Sequence, residues 1–310
     1  MSVLYFLESI RNPFLDTVVS VITMLGEETF FMAIALVFFW CIDKFEGYYM
    51  LSVGFLGTMI NQFLKMTFRI PRPWVKDPSF TIVESAREAA SGYSFPSGHT
   101  QSSVGVFGSI MRFNKNTVLR IICGILCTLV AFSRLYLGVH TPLDVGVSIV
   151  IAVILILILY PFFVRCRSSP KAMYPLLLFM TAVSITFTLY VTLYKFPSEV
   201  YLSENIANLL SARKNAFTLL GCILGLDVIY PLDIKFINFS TEAVWYKQII
   251  KILGGISLVI AVKELLRAPL EALIVNEYAA RSVRYFLIVL VAGALWPYIF
   301  SKFCKTKGNL

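Results

Sequence analysis

The stretch Val145–Val164, VGVSIVIAVILILILYPFFV, decides the fold class of this chain, because it holds 20 residues without a single charge. A helix of about 20 apolar residues crosses the hydrocarbon core of a bilayer. Ala172–Tyr194 is a second uncharged run, and Gly47–Leu64 and Tyr285–Ser301 are nearly as apolar. Further spans are predicted on shorter runs between charges, at Thr29–Ile42, Gly98–Met111, Ile121–Ser133, Asn215–Ile229 and Gln248–Val262. The sequence therefore predicts an all-α, polytopic transmembrane bundle of nine spans.

The composition of all 310 residues agrees with a membrane protein, since 58% are hydrophobic and 15% are charged. A soluble domain has about 45–50% apolar and about 25% charged residues. The composition therefore excludes a soluble enzyme and a disordered protein. The net charge of +9 does not indicate a nucleic-acid partner, because Lys and Arg of membrane chains mark topology and anionic headgroups. The six scattered cysteines form no C-x-x-C pair and predict neither disulfides nor a metal site.

Basic loops predict the orientation. Nine Lys and Arg, with no acidic residue, occupy Arg112–Arg120, Arg165–Lys171 and Lys302–Leu310. Positive charge marks the cytoplasmic side, and nine spans put all three segments on that side. The non-cytoplasmic face then carries the N-terminus, the loop Thr67–Pro96 and the turn Arg134–Leu143.

Three regions are expected along the chain. An N-terminal region, 1–28, contains a predicted interfacial helix at Pro13–Leu25 with Asp16 toward water. A catalytic core of about five transmembrane helices spans 29–164, and a C-terminal extension of about four helices spans 165–310. No signal peptide is expected, and with no ER-retention ending the sequence favours a bacterial plasma membrane.

Ionisable residues at membrane depth are costly and indicate function. The chain has only two histidines, His99 and His140, and both lie where a non-cytoplasmic loop becomes a helix. Lys65, Arg72 and Arg134 are expected at the same face. Three cations and two imidazoles at one depth predict a site for a multiply charged anion, of which phosphate is the best match.

Two short segments support this prediction. Phe95–Thr100, FPSGHT, is typical of a turn that starts a helix, where free N–H groups can hold an anion. In Thr141–Asp144, TPLD, Thr141 is a natural N-cap and Asp144 falls in the first helical turn. Asp144 would then accept Nδ1–H of His140 and leave Nε2 free as a nucleophile.

Each feature alone has a structural explanation. His140 and Asp144 could form a helix cap, Lys65 and Arg134 could be snorkelling residues at helix ends, and Arg72-Pro73 could be a loop dipeptide. All of these explanations would have to hold together, on one face and at these spacings. The combination therefore favours a phosphatase.

Three motifs carry a resemblance to a known family. Lys65-x6-Arg72-Pro73, Pro96-Ser97-Gly98-His99 and Ser133-Arg134-x5-His140-x3-Asp144 resemble the three-part pattern of the type 2 phosphatidic acid phosphatase superfamily (PAP2), and all eleven specified positions match. The superfamily also includes the vanadium haloperoxidases, so the resemblance implies a PAP2/vanadium-haloperoxidase-like core. The nine-span layout is similar to the sphingosine-phosphate phosphatase and glucose-6-phosphatase branches.

The resemblance implies a mechanism for these residues. His140 attacks phosphorus and forms a phosphohistidine, Asp144 orients it, and His99 protonates the leaving oxygen and then activates water. The phosphoryl oxygens are held by Lys65, Arg72, Ser97, Gly98 and Arg134. Phosphoryl transfer needs mainly positioning and electrostatic stabilisation, so neither a metal nor another cofactor is expected.

The expected function is hydrolysis of a membrane lipid phosphate or pyrophosphate at the non-cytoplasmic face, because a site at helix ends lets the lipid tail stay in the bilayer. Hydrolysis of a soluble sugar phosphate is an alternative that the nine-span layout supports. Transport of phosphorylated anions is a remote alternative, since no inverted half-repeats are visible.

Overall fold

The computed structural model describes residues 1–202 and 205–304, with the side chain of Cys304 excepted. The described part is built of helices and short turns, and no strand occurs in it. The α-helices are α1 Ser2–Ser9, α2 Pro13–Thr23, α3 Glu28–Val37, α4 Lys44–Phe68, α5 Pro73–Lys76, α6 Gly98–Phe113, α7 Thr117–Tyr136, α8 Pro142–Ser168, α9 Met173–Leu193, α10 Ile206–Leu232, α11 Trp245–Leu265, α12 Arg267–Leu273, α13 Glu277–Leu290 and α14 Trp296–Cys304. The predicted all-α class is confirmed.

Local sequence explains where the helices near the histidines begin. Ser97 caps α6 through its side chain, which accepts a hydrogen bond from Thr100 N. Thr141 Oγ1 accepts a bond from Asp144 N at 3.3 Å, directly before α8 begins at Pro142. The predicted cap at Thr141 and first-turn position of Asp144 are thus present. These caps place His99 in the first turn of α6 and His140 just before α8.

Five helices are long and apolar enough to cross a membrane: Thr117–Tyr136, Pro142–Ser168, Pro170–Leu193, Ile206–Ile237 and Glu277–Phe303. A sixth span exists if the bent pair Pro13–Gly26 and Glu28–Ile42 is counted as one. The predicted count of nine is therefore too high for the described residues. The chain nevertheless crosses the membrane several times, as predicted.

Three predicted spans lie on helices outside this set. The span predicted at Gly98–Met111 lies on α6, whose 16 residues reach only about 24 Å, less than the ~30 Å of hydrocarbon. The span at Gly47–Leu64 lies on α4, which also carries Asn61 and Lys65. The span at Gln248–Val262 lies on α11, where Lys251 is buried.

The N-terminal helix α2 differs from the predicted interfacial helix. It pairs with α3 across a 51° bend and forms a broken span or a re-entrant loop. Asp16 is partly exposed, and its Oδ1 also accepts a hydrogen bond from Tyr136 OH at 2.8 Å. The exposed side of α2 is apolar, with Phe14, Val18 and Val21.

The chain forms two compact units that alternate along the sequence. One unit comprises 1–34, 50–161 and 195–212, and it contains both histidines. The other comprises 35–49, 162–194 and 213–310. In the second unit Trp40 Nε1 donates to Ala292 O at 2.8 Å, and Arg167 forms ion pairs with Asp43 and Glu46. The predicted regions 1–28, 29–164 and 165–310 divide the chain into consecutive segments and not into these units, and that division stays a prediction.

Candidate active site

The predicted site residues lie at helix ends of the first unit. Lys65 is in the last turn of α4, and Arg134 is in the last turn of α7. Backbone hydrogen bonds connect these ends: Ser97 N donates to Asp144 O at 3.2 Å, and His140 N donates to Arg134 O at 3.3 Å. The starts of α6 and α8 and the end of α7 therefore meet at one place.

His140 is 2% exposed and faces two different neighbours. Its Nε2 lies 2.9 Å from Arg72 Nη1. A guanidinium only donates hydrogen bonds, so Nε2 must accept, and in the neutral ring the proton is then on Nδ1. Burial, together with the charges of Arg72, Arg134, Lys65 and His99, lowers the pKa of His140 well below 6.5. The imidazole is therefore neutral at physiological pH, with a lone pair on Nε2.

Asp144 lies beside the other nitrogen of this ring. Its Oδ2 is 3.5 Å from His140 Nδ1, which is too long for a good hydrogen bond. The same oxygen accepts bonds from Thr141 N at 2.7 Å and from Ser94 Oγ at 2.6 Å. Asp144, the expected partner of His140, is thus beside the ring, but its carboxylate is held by Thr141 N and Ser94 Oγ.

Arg72 is fixed by backbone carbonyls. Its Nε donates to Gly92 O at 3.0 Å, its Nη1 to Val139 O at 2.9 Å, and its Nη2 to Ser91 O at 2.8 Å. Burial lowers the pKa of Arg72 to about 10, although the Asp144 charge opposes this. The guanidinium therefore stays charged at neutral pH and is pre-oriented beside His140.

The other two cations are also buried. Lys65 is 6% exposed, and its Nζ donates to Tyr93 O at 2.5 Å. Arg134 is 1% exposed, and its Nη1 donates to Thr23 Oγ1 at 2.5 Å. Three cations with few acidic partners in a low-dielectric region attract a multiply charged anion.

The start of α6 is the turn that the sequence predicts to bind an anion. The Ser97 oxygen accepts bonds from Thr100 N and Thr100 Oγ1, so its own hydroxyl hydrogen remains available to a ligand. A Cβ added to Gly98 would meet no atom within 4 Å, so the space beside this residue is open. The first N–H groups of a helix carry partial positive charge and suit an anion in such a space.

Several buried polar atoms around this space have no hydrogen-bond partner in the structure. They are His99 Nε2, Arg134 Nε and His140 Nδ1. Buried polar atoms of folded proteins are nearly always satisfied, so a group of exceptions indicates room for a ligand or water. The structure thus brings all eight predicted site residues to the joined ends of these helices and the Arg72 loop.

Two contacts in this region were not predicted. Ser94 holds the Asp144 carboxylate, and Thr23 holds the Arg134 guanidinium. Ser94 directly precedes the FPSGHT segment, which could have drawn attention to it. Thr23 lies 111 residues from Arg134, and nothing in the sequence signals their contact.

Across residues 1–202 and 205–304, no group of three or more His, Cys, Asp or Glu side chains could hold a metal ion. The expectation of a metal-free reaction stays a prediction.

Comparison with known proteins identifies the family. The model of the PAP2 superfamily matches residues 46–168, and that of the PAP2 superfamily phosphatase transmembrane extension matches 217–308. Phosphatidylglycerophosphatase B of Bacillus subtilis is 31% identical over 149 residues, which are 44% of this chain and 69% of that protein. The chain belongs to the PAP2 superfamily. The predicted resemblance is confirmed.

Other PAP2 relatives are longer proteins. The probable sphingosine-1-phosphate phosphatase of Dictyostelium discoideum is 32% identical over 49% of this chain and 39% of that protein. Human sphingosine-1-phosphate phosphatase 2 is 27% identical over 54% of this chain and 43% of that protein. The matches thus span less than half the length of these two relatives. No solved structure matches the chain.

Proposed function

We propose that this PAP2 protein is a membrane phosphatase that hydrolyses a lipid phosphate or pyrophosphate through a phosphohistidine on His140. The proposal rests on one observation above all: the lone pair of His140 Nε2 faces Arg72 Nη1 at 2.9 Å, beside two more buried cations. A nucleophile and an anion-binding group at one point are what phosphoryl transfer requires.

In the first proposed step the Nε2 lone pair of His140 forms a bond to phosphorus. His99 is neutral in the empty site, because burial and the charges of Arg134, Arg72 and Lys65 lower its pKa to about 3. It gains a proton when the phosphate dianion binds beside these cations, since the anion's charge raises its pKa. The bond from phosphorus to the leaving oxygen breaks, and His99 gives that oxygen this proton. Lys65, Arg72 and Arg134, with the Ser97 hydroxyl and the Gly98 amide, stabilise the charge on the phosphoryl oxygens. Asp144 stabilises the positive charge that develops on the His140 ring.

In the second step water replaces the histidine. His99, now neutral, removes a proton from water as its oxygen attacks phosphorus. The phosphorus–nitrogen bond breaks, inorganic phosphate leaves, and His140 regains its lone pair. Protons and charges balance over the two steps, so the cycle needs neither a metal nor an oxidant.

A lipid substrate is favoured over a soluble sugar phosphate. The site residues lie at the ends of helices in a membrane protein, so a lipid tail can stay in the bilayer while its phosphate reaches His140. Relatives are named for sphingosine-1-phosphate, phosphatidylglycerophosphate and undecaprenyl diphosphate. Release of phosphate at the non-cytoplasmic face of a bacterial plasma membrane is part of the proposal.

The test uses purified protein in detergent with EDTA and a radiolabelled lipid phosphate. We expect phosphate release from the wild type and a transient labelled protein that is stable to alkali and labile to acid, as a phosphohistidine is. His140→Ala should lose turnover by at least about 10⁴-fold and lose the label, because no other group can replace a covalent nucleophile.

Three outcomes would contradict the proposal. They are a His140→Ala variant with near wild-type rate, EDTA inhibition that Mg²⁺ reverses, and release from a sugar phosphate without any from a lipid. Vanadate should inhibit as a phosphate mimic and serves as the positive control for an occupied site.

A further inference from the structure

Two arginines of α13 lie in a membrane-spanning helix and have no part in the proposed reaction. Arg281 and Arg284 belong to the first two turns of the span Glu277–Phe303. They are three positions apart, so they are neighbours on the helix surface. Both also lie against one ring, since the guanidinium carbons of Arg281 and Arg284 are 5.3 and 5.7 Å from the Tyr285 centroid. Charged residues inside a span indicate a function.

Arg284 is buried and has no partner for its charge. The residue is 6% exposed, and its Nε is buried without a hydrogen bond. Within residues 1–202 and 205–304, it donates no hydrogen bond and forms no ion pair. Burial of a charged group is costly unless the group is paired, and a guanidinium has five N–H donors to satisfy. An arginine of this kind indicates a binding site for an anion.

Arg281 is held through its inner nitrogen. Its Nε donates to Thr218 Oγ1 of α10 at 2.7 Å, which fixes the direction of the side chain. Its two Nη groups bond no residue that the structure describes, and no described carboxylate, including that of Glu277 one turn earlier, pairs with it. The two Nη groups form the edge of a guanidinium that can bind two oxygens of a phosphate. Both arginines therefore offer free donors beside the Tyr285 ring.

An apolar groove continues along the same helix. Its volume is about 450 Å³, and ligand pockets typically have about 300–1,000 Å³. The residues that line it, at the end of α11 and along α13 and the segment after it, are Leu, Val and Ala. Leu287 and Val291 of this lining follow Arg284 by three and seven positions, so they continue its face of the helix. At 1.5 Å per residue, the lining from Leu287 to Leu295 lies about 5 to 16 Å farther into the span than Arg284.

We propose that Arg281 and Arg284 bind the phosphate of an anionic membrane phospholipid, and that an acyl chain of this lipid lies in the groove. A phospholipid in a bilayer has the same arrangement, with its phosphate near the surface and its chains farther in. Two arginines without an acidic partner favour a headgroup of net negative charge, as basic pockets between membrane helices do. The site uses none of the residues of the proposed phosphatase reaction, so this lipid is a bound ligand and not the substrate.

The test adds phosphatidylserine or phosphatidylcholine with identical acyl chains to the purified full-length protein in detergent. Both lipids are phosphodiesters, and the proposed hydrolysis of a monoester or pyrophosphate neither uses nor produces them. Phosphatidylserine should raise the unfolding temperature of the wild type more than phosphatidylcholine does, because a ligand that binds the folded state stabilises it. Equal increments from the two lipids would overturn the proposal.

Arg284→Met tests the unpaired arginine. Without lipid, the variant should unfold at the wild-type temperature or above it, because Arg284 has no hydrogen bond to lose. The phosphatidylserine concentration for half of the stabilisation should rise at least about tenfold. Lys214→Met is the control, since Lys214 is an exposed cation of α10, and it should keep this concentration within about twofold. Normal lipid binding by Arg284→Met, or an equal loss in the control, would contradict the proposal.

Two further measurements distinguish a lipid from other anions and from the phosphatase site. Arg72→Gln removes a cation of the proposed phosphate site and should keep the phosphatidylserine effect; loss of the effect would place the lipid at that site instead. Inorganic phosphate should stabilise the wild type and Arg284→Met equally. A phosphate effect that depends on Arg284 and equals that of phosphatidylserine would assign the arginines to a free anion and overturn the lipid proposal.

The groove is tested separately. Ala294 lines it, and Ala294→Phe would fill space that we assign to an acyl chain. The phosphatidylserine concentration for half of the stabilisation should again rise at least about tenfold, while the response to inorganic phosphate stays unchanged. Unchanged phosphatidylserine binding in Ala294→Phe would remove the groove from the lipid site.

Discussion

At the scale of single residues, the two nitrogens of His140 have different environments. Arg72 faces Nε2 and the Asp144 carboxylate lies near Nδ1, and both neighbours are held by other groups. The carboxylate is held by Ser94 and by the Thr141 amide, while the guanidinium is held by backbone carbonyls. The orientation of His140, the proposed nucleophile, therefore depends on residues that hold Arg72 and Asp144 and do not themselves contact the ring.

Ser94→Ala tests this dependence. Loss of the 2.6 Å bond to Asp144 Oδ2 should lower kcat about tenfold, the value of a ~1.4 kcal/mol hydrogen bond, with little change in KM. Ser148 is the matched control, because its buried hydroxyl bonds only the Asp144 backbone oxygen, and Ser148→Ala should keep kcat within about twofold. Equal losses in both variants, in kcat or in unfolding temperature, would argue against a positioning role.

The sequence predicted the residues that carry the proposed chemistry but not those that hold them. Lys65, Arg134 and His140 could be found because ionisable side chains are rare at membrane depth. Ser94 and Thr23 are ordinary polar residues, and their partners lie 50 and 111 positions away. Such contacts exist only after the helices have packed.

At the scale of elements, the N-terminus of α6 combines an open space with free amides. Gly98→Ala should fold normally, since its Cβ meets no protein atom within 4 Å, but the methyl group would occupy space that we assign to phosphate. We expect the vanadate concentration for half-inhibition to rise at least about tenfold, for a loss of ~1.4 kcal/mol.

Gly146→Ala on α8 is the control for this glycine, because a Cβ there also meets nothing within 4 Å. It should alter neither vanadate inhibition nor unfolding temperature. Unchanged inhibition of the Gly98→Ala protein would remove α6 from the phosphate site.

The broken pair α2 and α3 could not be predicted as such. An amphipathic helix and half of a broken span have the same hydrophobic pattern, and only packing distinguishes them. At the break, a Cβ on Gly26 would lie 2.9 Å from His99 O, and Thr23 bonds Arg134. The N-terminal region thus contributes to the site, which the predicted interfacial role did not include.

At the scale of the whole molecule, the predicted orientation can be tested by labelling. Glu88→Cys lies in the exposed loop before α6, and Lys115→Cys lies in the basic loop after it. In intact cells a membrane-impermeant maleimide should label position 88 above the wild-type background and leave position 115 unlabelled until the cells are permeabilised. The reverse pattern would place phosphate release on the cytoplasmic face.

Hydropathy predicted the membrane class correctly and the span count wrongly. Long uncharged runs such as Val145–Val164 leave no alternative to a bilayer. Short runs such as Gly98–Met111 are ambiguous, because apolar residues also pack inside a bundle, and α6 is largely buried. The other two helices outside the set, α4 and α11, are long enough to cross a bilayer but carry polar and charged residues such as Asn61, Lys65 and Lys251.

The 2.9 Å contact between Arg72 and His140 has a consequence for the idle protein. While no substrate is bound, the Arg72 guanidinium occupies the Nε2 lone pair that we propose as the nucleophile, so other electrophiles cannot react with it. In the proposed mechanism, a substrate phosphate dianion competes for the same guanidinium and frees Nε2 as it binds. Substrate binding and activation of His140 would then occur together, and Nε2 would stay protected between turnovers.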